Sequence, residues 1–206
     1  MDTYIALDLE TTGYSAESSE IIEIGAWKVE KGVVVDKFHS FVRPILYIPR
    51  HIQELTGITD EAVKDCETVV PVLLEFYDWC GNYPFLGHNI KFDYGFLCAK
   101  GSPVGLDFTV RGTREGIDTL KLCRELLNLH SNKLEDIVNF FGISIEIKDS
   151  STDKFHRALY DAYMTKLVYD RFSLVYSSII SVNSPERLSD NAGYGKVVNN
   201  DTLSFS

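Results

Sequence analysis

The stretch Tyr4-Ile5-Ala6-Leu7-Asp8-Leu9-Glu10-Thr11-Thr12-Gly13 constrains this chain more than any other. Its apolar residues and closing glycine read as a strand that ends in a turn. Side chains two apart on a strand point the same way, so Asp8 and Glu10 share one face. Two neighbouring carboxylates in an apolar strand repel each other unless a cation lies between them. Buried charges are, as a rule, paired or bound to metal. Two readings stay open on this segment alone: a ligand pair, or a strand end that emerges into solvent with two acidic residues.

Composition narrows the choice. A chain of 206 residues can build one substantial core, which favours a single domain with additions. A content of 45% hydrophobic and 24% charged residues is that of an ordinary soluble globular protein. The formal charge of -10 argues against a passive nucleic-acid binder, which would carry a basic surface. It leaves open an enzyme that acts on nucleic acid, because metal-binding carboxylates would supply part of that charge. Cys66, Cys80, Cys98 and Cys123 are widely spaced, with no C-x-x-C pair, and read as reduced thiols in a reducing compartment. No apolar run reaches membrane-spanning length and no secretion signal opens the chain, so no membrane partner and a cytoplasmic location are expected.

In chain order, strands are expected over residues 4–10, 20–29 and 33–42, the last two joined by the Lys31-Gly32 turn as a hairpin. A short helix over 49–55 and a loop over 56–60 follow. Thr68 is placed to cap a helix over 69–80 that ends at Gly81. A brief strand at 85–87 leads through His88-Asn89 into a helix to Ala99, with Gly101 as its stop. A strand near 116–118, helices over 120–129 and 133–141, and a long helix from about 157 to 172 complete the order. Strands in a meander followed by alternating strands and helices imply an α/β sheet with one antiparallel part.

Two later segments repeat the opening anomaly. Helical spacing groups Asp93 with Ile90, Phe96 and Leu97, a carboxylate within an apolar stripe. Alone, it could be an acid favoured by the helix dipole. Asp161 likewise falls with Ala158, Thr165 and Val168 on a helix so apolar that it must be largely buried. His156 stands five residues earlier, a step of about 140° around a helix, so it cannot share that face. It is expected before the helix mouth, leaning over a site that Asp161 lines. Oxygen ligands select hard cations, Mg²⁺ or Mn²⁺. Two such ions roughly 3.5–4 Å apart can clamp the attacking and leaving oxygens of an in-line phosphoryl displacement. A histidine beside them suits proton transfer from water. Metal-assisted phosphodiester hydrolysis is the chemistry implied.

Asp8-Leu9-Glu10-Thr11-Thr12-Gly13, Gly87-His88-Asn89-Ile90-Lys91-Phe92-Asp93 and His156-Arg157-Ala158-Leu159-Tyr160-Asp161 resemble the three exonuclease motifs of the DEDD superfamily in its histidine-containing (DEDDh) branch. The resemblance covers about residues 1 to 172. It implies a ribonuclease-H-like α/β fold with a five-stranded mixed central sheet flanked by helices. It also implies that Asp8, Glu10, Asp93 and Asp161 hold two Mg²⁺ (or Mn²⁺) ions, that His156 is the general base, and that nucleoside monophosphates leave one at a time from a 3′ end. Leu55-Thr56-Gly57-Ile58 matches a family segment that bears on the terminal nucleotide. Leu55 could wedge against the terminal base or simply pack its helix end. Thr11, Thr12, Thr56 and Asn89 are the other expected substrate neighbours. His39, His51 and His130 carry no role of their own in this reading, and His88 is structural.

Spacing around Leu55-Thr56-Gly57-Ile58 and Lys133-Leu134-Glu135-Asp136 resembles the bacterial DNA polymerase III epsilon-type proofreading domains most. DNA is therefore favoured over RNA as the source of single-stranded or frayed 3′ ends. An exoribonuclease that trims RNA ends or short oligoribonucleotides is the alternative. A non-catalytic binding module of this fold is disfavoured, because all five catalytic-type side chains are present. The composition shift after Tyr176 divides the chain into an exonuclease domain over 1–176 and a flexible tail over 177–206. Residues 200–205, Asn200-Asp201-Thr202-Leu203-Ser204-Phe205, resemble sliding-clamp-binding peptides with Asn in place of the usual Gln, and six-residue patterns of this kind also arise by chance. A clamp or a DNA polymerase subunit is the partner that this resemblance implies.

Overall fold

The structure, a computed structural model, describes residues 3–110, 116–127, 129–144 and 156–182. The proposed clamp peptide and most of the tail lie outside the described residues. Five strands form one mixed sheet in the order β3-β2-β1-β4-β5: β1 (Tyr4–Thr11), β2 (Ile21–Glu30), β3 (Val33–Phe41), β4 (Phe85–Gly87) and β5 (Ile117–Asp118). The first three strands are an antiparallel meander, while β1–β4 and β4–β5 pair in parallel. The α-helices among the described residues are α1 (Arg50–Thr56), α2 (Asp60–Val63), α3 (Val69–Cys80), α4 (Ile90–Gly101), α5 (Thr119–Leu126), α6 (Leu134–Phe140) and α7 (Ala158–Val182).

Period-2 alternation in β1 sorts the sheet into two faces. Ile5, Leu7 and Leu9 join Ile24, Ala26 and Phe38 in a core completed by Leu73 and Phe76 of α3 and by Phe96 and Leu97 of α4. The opposite face carries Tyr4, Ala6, Asp8 and Glu10, and across from them on β2 Val29, Trp27, Gly25 and Glu23. α7 covers this second face, with Tyr169 edge-on to Tyr4 and Tyr163 against Trp27. A satellite cluster of Ile22, Ile48, Ile52, Ile58 and Val63 seats α1 and α2.

Three elements depart from the expectation. The segment read as a loop over 56–60 gives way to α2, which Thr59 caps by accepting from the Ala62 N–H. Asp60 and Glu61 in its first turn suit the helix dipole, a start signal that the short length concealed. α5 ends at Leu126, so His130 lies beyond it. α7 continues past the expected end near 172, because nothing in 173–182 breaks a helix. The chain divides into two compact units: Met1–Arg171, which holds the sheet and α1–α6, and Phe172–Ser206, of which the helical backbone to Val182 is described.

Candidate active site and metal centre

The site is assembled where β1 ends and two helices begin. Asp8 and Glu10 project from the α7-facing side of β1, both partly buried. Asp93, in the first turn of α4, is 3% exposed, and its Oδ1 accepts the Leu9 N–H at 3.0 Å. The α4 carboxylate is thereby tied to the backbone between the two β1 acids. Asp161 sits in the first turn of α7 and is 8% exposed, and its Oδ2 accepts the His156 N–H at 3.0 Å. His156 precedes α7 in a left-handed conformation, φ 65°, with its ring exposed. Ligand atoms of Glu10, His156 and Asp161 lie within 4.8 Å of one another. Asp8 and Asp93 stand outside that tight trio but within its electrostatic reach.

Electrostatics mark the cluster as short of positive charge. Burial, then the charges of Asp93, Asp161, Glu10 and Glu23, push Asp8 well above the usual carboxylate range. Burial, then Asp161, Glu23 and Asp93, push Glu10 up to about 8, with Arg157 opposing. Burial raises Asp93 to about 8 against the pull of its backbone hydrogen bonds. Burial raises Asp161 to about 7 despite the His156 N–H. Asp161 Oδ1 is buried with no hydrogen-bond partner among the described residues. Buried, mutually repelling carboxylates with a free oxygen and an adjacent imidazole fit a divalent cation, which would replace the missing counter-charge.

The remaining expected substrate neighbours fall into two groups. Thr11 is buried and donates from Oγ1 to Gly13 O at 2.7 Å. Thr12 accepts the Glu20 N–H on its Oγ1 and donates its own N–H to Glu20 O. Both threonines thus brace the loop that follows Glu10. Asn89 is exposed at φ 72° and donates its N–H to Asp118 Oδ1 at 3.0 Å, which fixes the turn into α4. Leu55 is 47% exposed and open to a ligand. Thr56 is not: it is 1% exposed, and its hydroxyl donates to Ile52 O and accepts the Ile58 N–H. That hydroxyl closes α1, so its expected contact with substrate has no exposed group to make it.

Structural and electrostatic partners that sequence reasoning missed are Glu23, Arg157, His39 and Asp118. Glu23 is wholly buried and pairs with Arg157 and His39. His39 was expected to have no role, yet its Nε2 donates to Glu23 Oε1 at 2.7 Å. An acid between Ile22 and Ile24, in register with Glu10, was the signal available. Asp118 accepts from Asn89 and Leu120 and so joins the α4 and α5 starts. His88 is structural as expected: its Nε2 donates to Asn132 O at 2.8 Å, and its Nδ1 takes the Thr119 hydroxyl at 2.9 Å.

Residues 5–169 match the family model described as Exonuclease (RNase T). The chain is 36% identical to the DNA polymerase III PolC-type protein of Thermotoga petrophila over 195 residues, 93% of this chain and 14% of that protein. It is 38% identical to the Clostridium perfringens counterpart over 165 residues, 80% of this chain and 11% of that one. The chain thus spans about a seventh or less of the length of the curated relatives it matches. Among solved structures, Exonuclease X in complex with 5′ overhanging duplex DNA aligns with a TM-score of 0.62 at 24% identity, covering 94% of this chain and all of that one. Escherichia coli Exonuclease I in complex with a dT13 oligonucleotide gives 0.70 at 17%, covering 92% and 46%. The nuclease domain of 3'hExo, a DEDDh family member bound to rAMP, gives 0.67 at 20%, covering 84% and 92%. With the family model matched over residues 5–169, most of its length, this chain belongs to the exonuclease family.

Proposed function

We propose that the chain removes nucleotides one at a time from single-stranded or frayed 3′ ends of DNA, in proofreading, replication or repair. Asp8, Glu10, Asp93 and Asp161 would hold two Mg²⁺ or Mn²⁺ ions. The observation that carries this reading is the convergence of Glu10, Asp161 and the His156 ring within 4.8 Å, with a buried Asp161 oxygen left unpartnered. Bound divalent ions supply Lewis-acid stabilisation of the charge that develops on the phosphate oxygens. The chain's own contribution is placement and proton transfer. His156, exposed at the rim, accepts the proton of the attacking water on one ring nitrogen, and its backbone N–H stays on Asp161. Asp93, tied to the Leu9 N–H, keeps the α4 acid beside Asp8 and Glu10 through the cycle. Leu55, an exposed side chain on α1, packs against the terminal base with little base preference. Thr11, Thr12 and Asn89 shape the backbone around the scissile end.

DNA is favoured because the relatives at 36–38% identity are DNA polymerase III proteins. The same relatives support association with a polymerase, since the matched segment forms part of much longer chains there. RNA is the second reading, because a structure of this fold is bound to rAMP. We assign the catalytic body to residues 1–176, and the clamp-like peptide at 200–205 remains a partner site to test by deletion. The deciding experiment is metal-dependent release of mononucleotides from labelled single-stranded DNA against RNA of the same sequence. Faster release from DNA is expected. Release from RNA alone would move the substrate, and release from neither would remove the enzyme reading.

A further inference from the structure

A fifth buried carboxylate stands behind the four acidic ones. Glu23 has no exposed surface, yet it differs from them in having its charge matched. Burial pushes its pKa up, but hydrogen bonds from His39 and Arg157, the guanidinium charge and the Ala158 N–H outweigh that and hold it below the ordinary value. Oε1 accepts from His39 Nε2 at 2.7 Å and from Arg157 Nη2 at 3.0 Å. Oε2 accepts from Arg157 Nε and from the Ala158 N–H, both at 3.2 Å. Each oxygen is engaged at least twice, Arg157 Nε also reaching Oε1 at 3.3 Å, so Glu23 has little left to offer a cation. Arg157 is 11% exposed and lies over the Phe41 ring, 5.1 Å from its centroid, so the pair is held in place and shielded.

The same face of β2 grips the next two residues. A Cβ on Gly25 would lie 2.2 Å from Ala158 C and 2.1 Å from Leu159 N, so the first turn of α7 rests on bare backbone there. Trp27 Nε1 donates to Leu159 O at 2.8 Å. Three alternate residues of one strand therefore hold residues 157–159, the segment between His156 and Asp161.

We propose that Glu23 is a positioning residue: by fastening Arg157 and the Ala158 N–H it fixes the entrance of α7, so that Asp161 converges on Glu10 to complete the cation site, with the His156 ring beside it. This rests on the metal-dependent reading above. Glu23 touches neither the reacting atoms nor the cation. The bland alternative is an ion pair that only stabilises the fold, and the sign of one measurement separates the two. On charge alone, removing Arg157 makes the site more negative and should tighten a dication. Releasing the α7 entrance should weaken it.

The test uses the full chain with Mn²⁺ itself as the probe. Mn²⁺ binding is read by calorimetry, kcat and KM on single-stranded DNA separately, and unfolding in chelator. Arg157→Met and Glu23→Gln are expected to weaken Mn²⁺ binding and lower kcat by about 10–100-fold, the range for residues that orient ligands, with KM little changed. Arg157→Lys keeps the charge without the two-pronged geometry and is expected to weaken Mn²⁺ binding as well. It decides the matter if Arg157→Met does not fold. Folded Arg157→Met that binds Mn²⁺ as tightly as the parent, or tighter, with parental kcat overturns the proposal, as does full recovery in Arg157→Lys. A parent that neither binds Mn²⁺ nor cuts DNA sinks the functional reading itself. An active parent beside indifferent variants sinks only the role of Glu23.

Discussion

Leu9 and Asp93 are 84 residues apart in sequence and joined by a buried hydrogen bond, from the Leu9 N–H to Asp93 Oδ1 at 3.0 Å. One carboxylate thereby serves two purposes. It satisfies a strand N–H between Asp8 and Glu10, and it presents its charge to the cluster. Asp93→Asn should keep the acceptor and lose the charge, while Asp93→Ala should lose both. Both are expected to abolish turnover. The alanine variant should be less stable than the asparagine variant by about 1–3 kcal/mol, the cost of an unsatisfied buried donor. Urea unfolding in chelator measures the difference, and equal stabilities would show that this bond contributes nothing.

His156→Ala removes the ring without the backbone N–H that reaches Asp161. Single-turnover hydrolysis should slow by about 10²–10⁴-fold, the range for a lost general base. Mn²⁺ binding should remain, since the carboxylates are untouched. Parental rates across neutral pH would refute the role assigned to the ring.

The raised carboxylates give metal-free protein an inverted pH response. Glu10 and Asp93 stand near 8 and Asp161 near 7 in the folded chain, against ordinary values of 4.5 for Glu and 3.8 for Asp. The folded state therefore binds more protons than the unfolded one between those limits, and stability falls as pH rises through them. Thermal midpoints in chelator should drop between about pH 5 and pH 8 by virtue of these groups. Added Mn²⁺ should reverse the loss and do so more strongly at pH 8, where protons no longer compete. A metal-free midpoint that climbs over that window would contradict the burial of these acids.

Gly25→Ala places a methyl group onto the backbone of Ala158 and Leu159. Neither β2 nor α7 can yield cheaply there, since both are buried. A loss of about 1–3 kcal/mol is expected from the overpacking, together with lower kcat as the α7 entrance lifts. Chemical unfolding and steady-state rates on single-stranded DNA test the two effects separately.

Leu55 and Thr56 are neighbours with opposite exposure. Leu55→Ala should change stability by less than about 0.5 kcal/mol while raising KM for single-stranded DNA. Thr56→Val should cost about 1–3 kcal/mol by leaving the Ile58 N–H without its acceptor, and should spare catalysis. The reverse pattern would move the substrate contact from Leu55 to Thr56.

The three anomalous acids of β1 and α4, the acid of α7 and the histidine before it were legible in the linear chain. A carboxylate placed in an apolar period violates the pattern around it, and that violation is local information. Helix and strand positions followed from the same periodicity, apart from α2, too short to show a period, α5, which stops at Leu126, and α7, which continues past its expected end. Tertiary structure alone decided which charges face one another. Glu23 is as anomalous among Ile21–Ala26 as Asp8 is in β1, yet only the register that sets it opposite Glu10, and the fold that brings Arg157 down onto it, separate a counter-charged support from an uncompensated ligand. Sequence fixes the identity and spacing of charged groups along one dimension. Compensation depends on distances in three, and those are set by packing the sheet against α7.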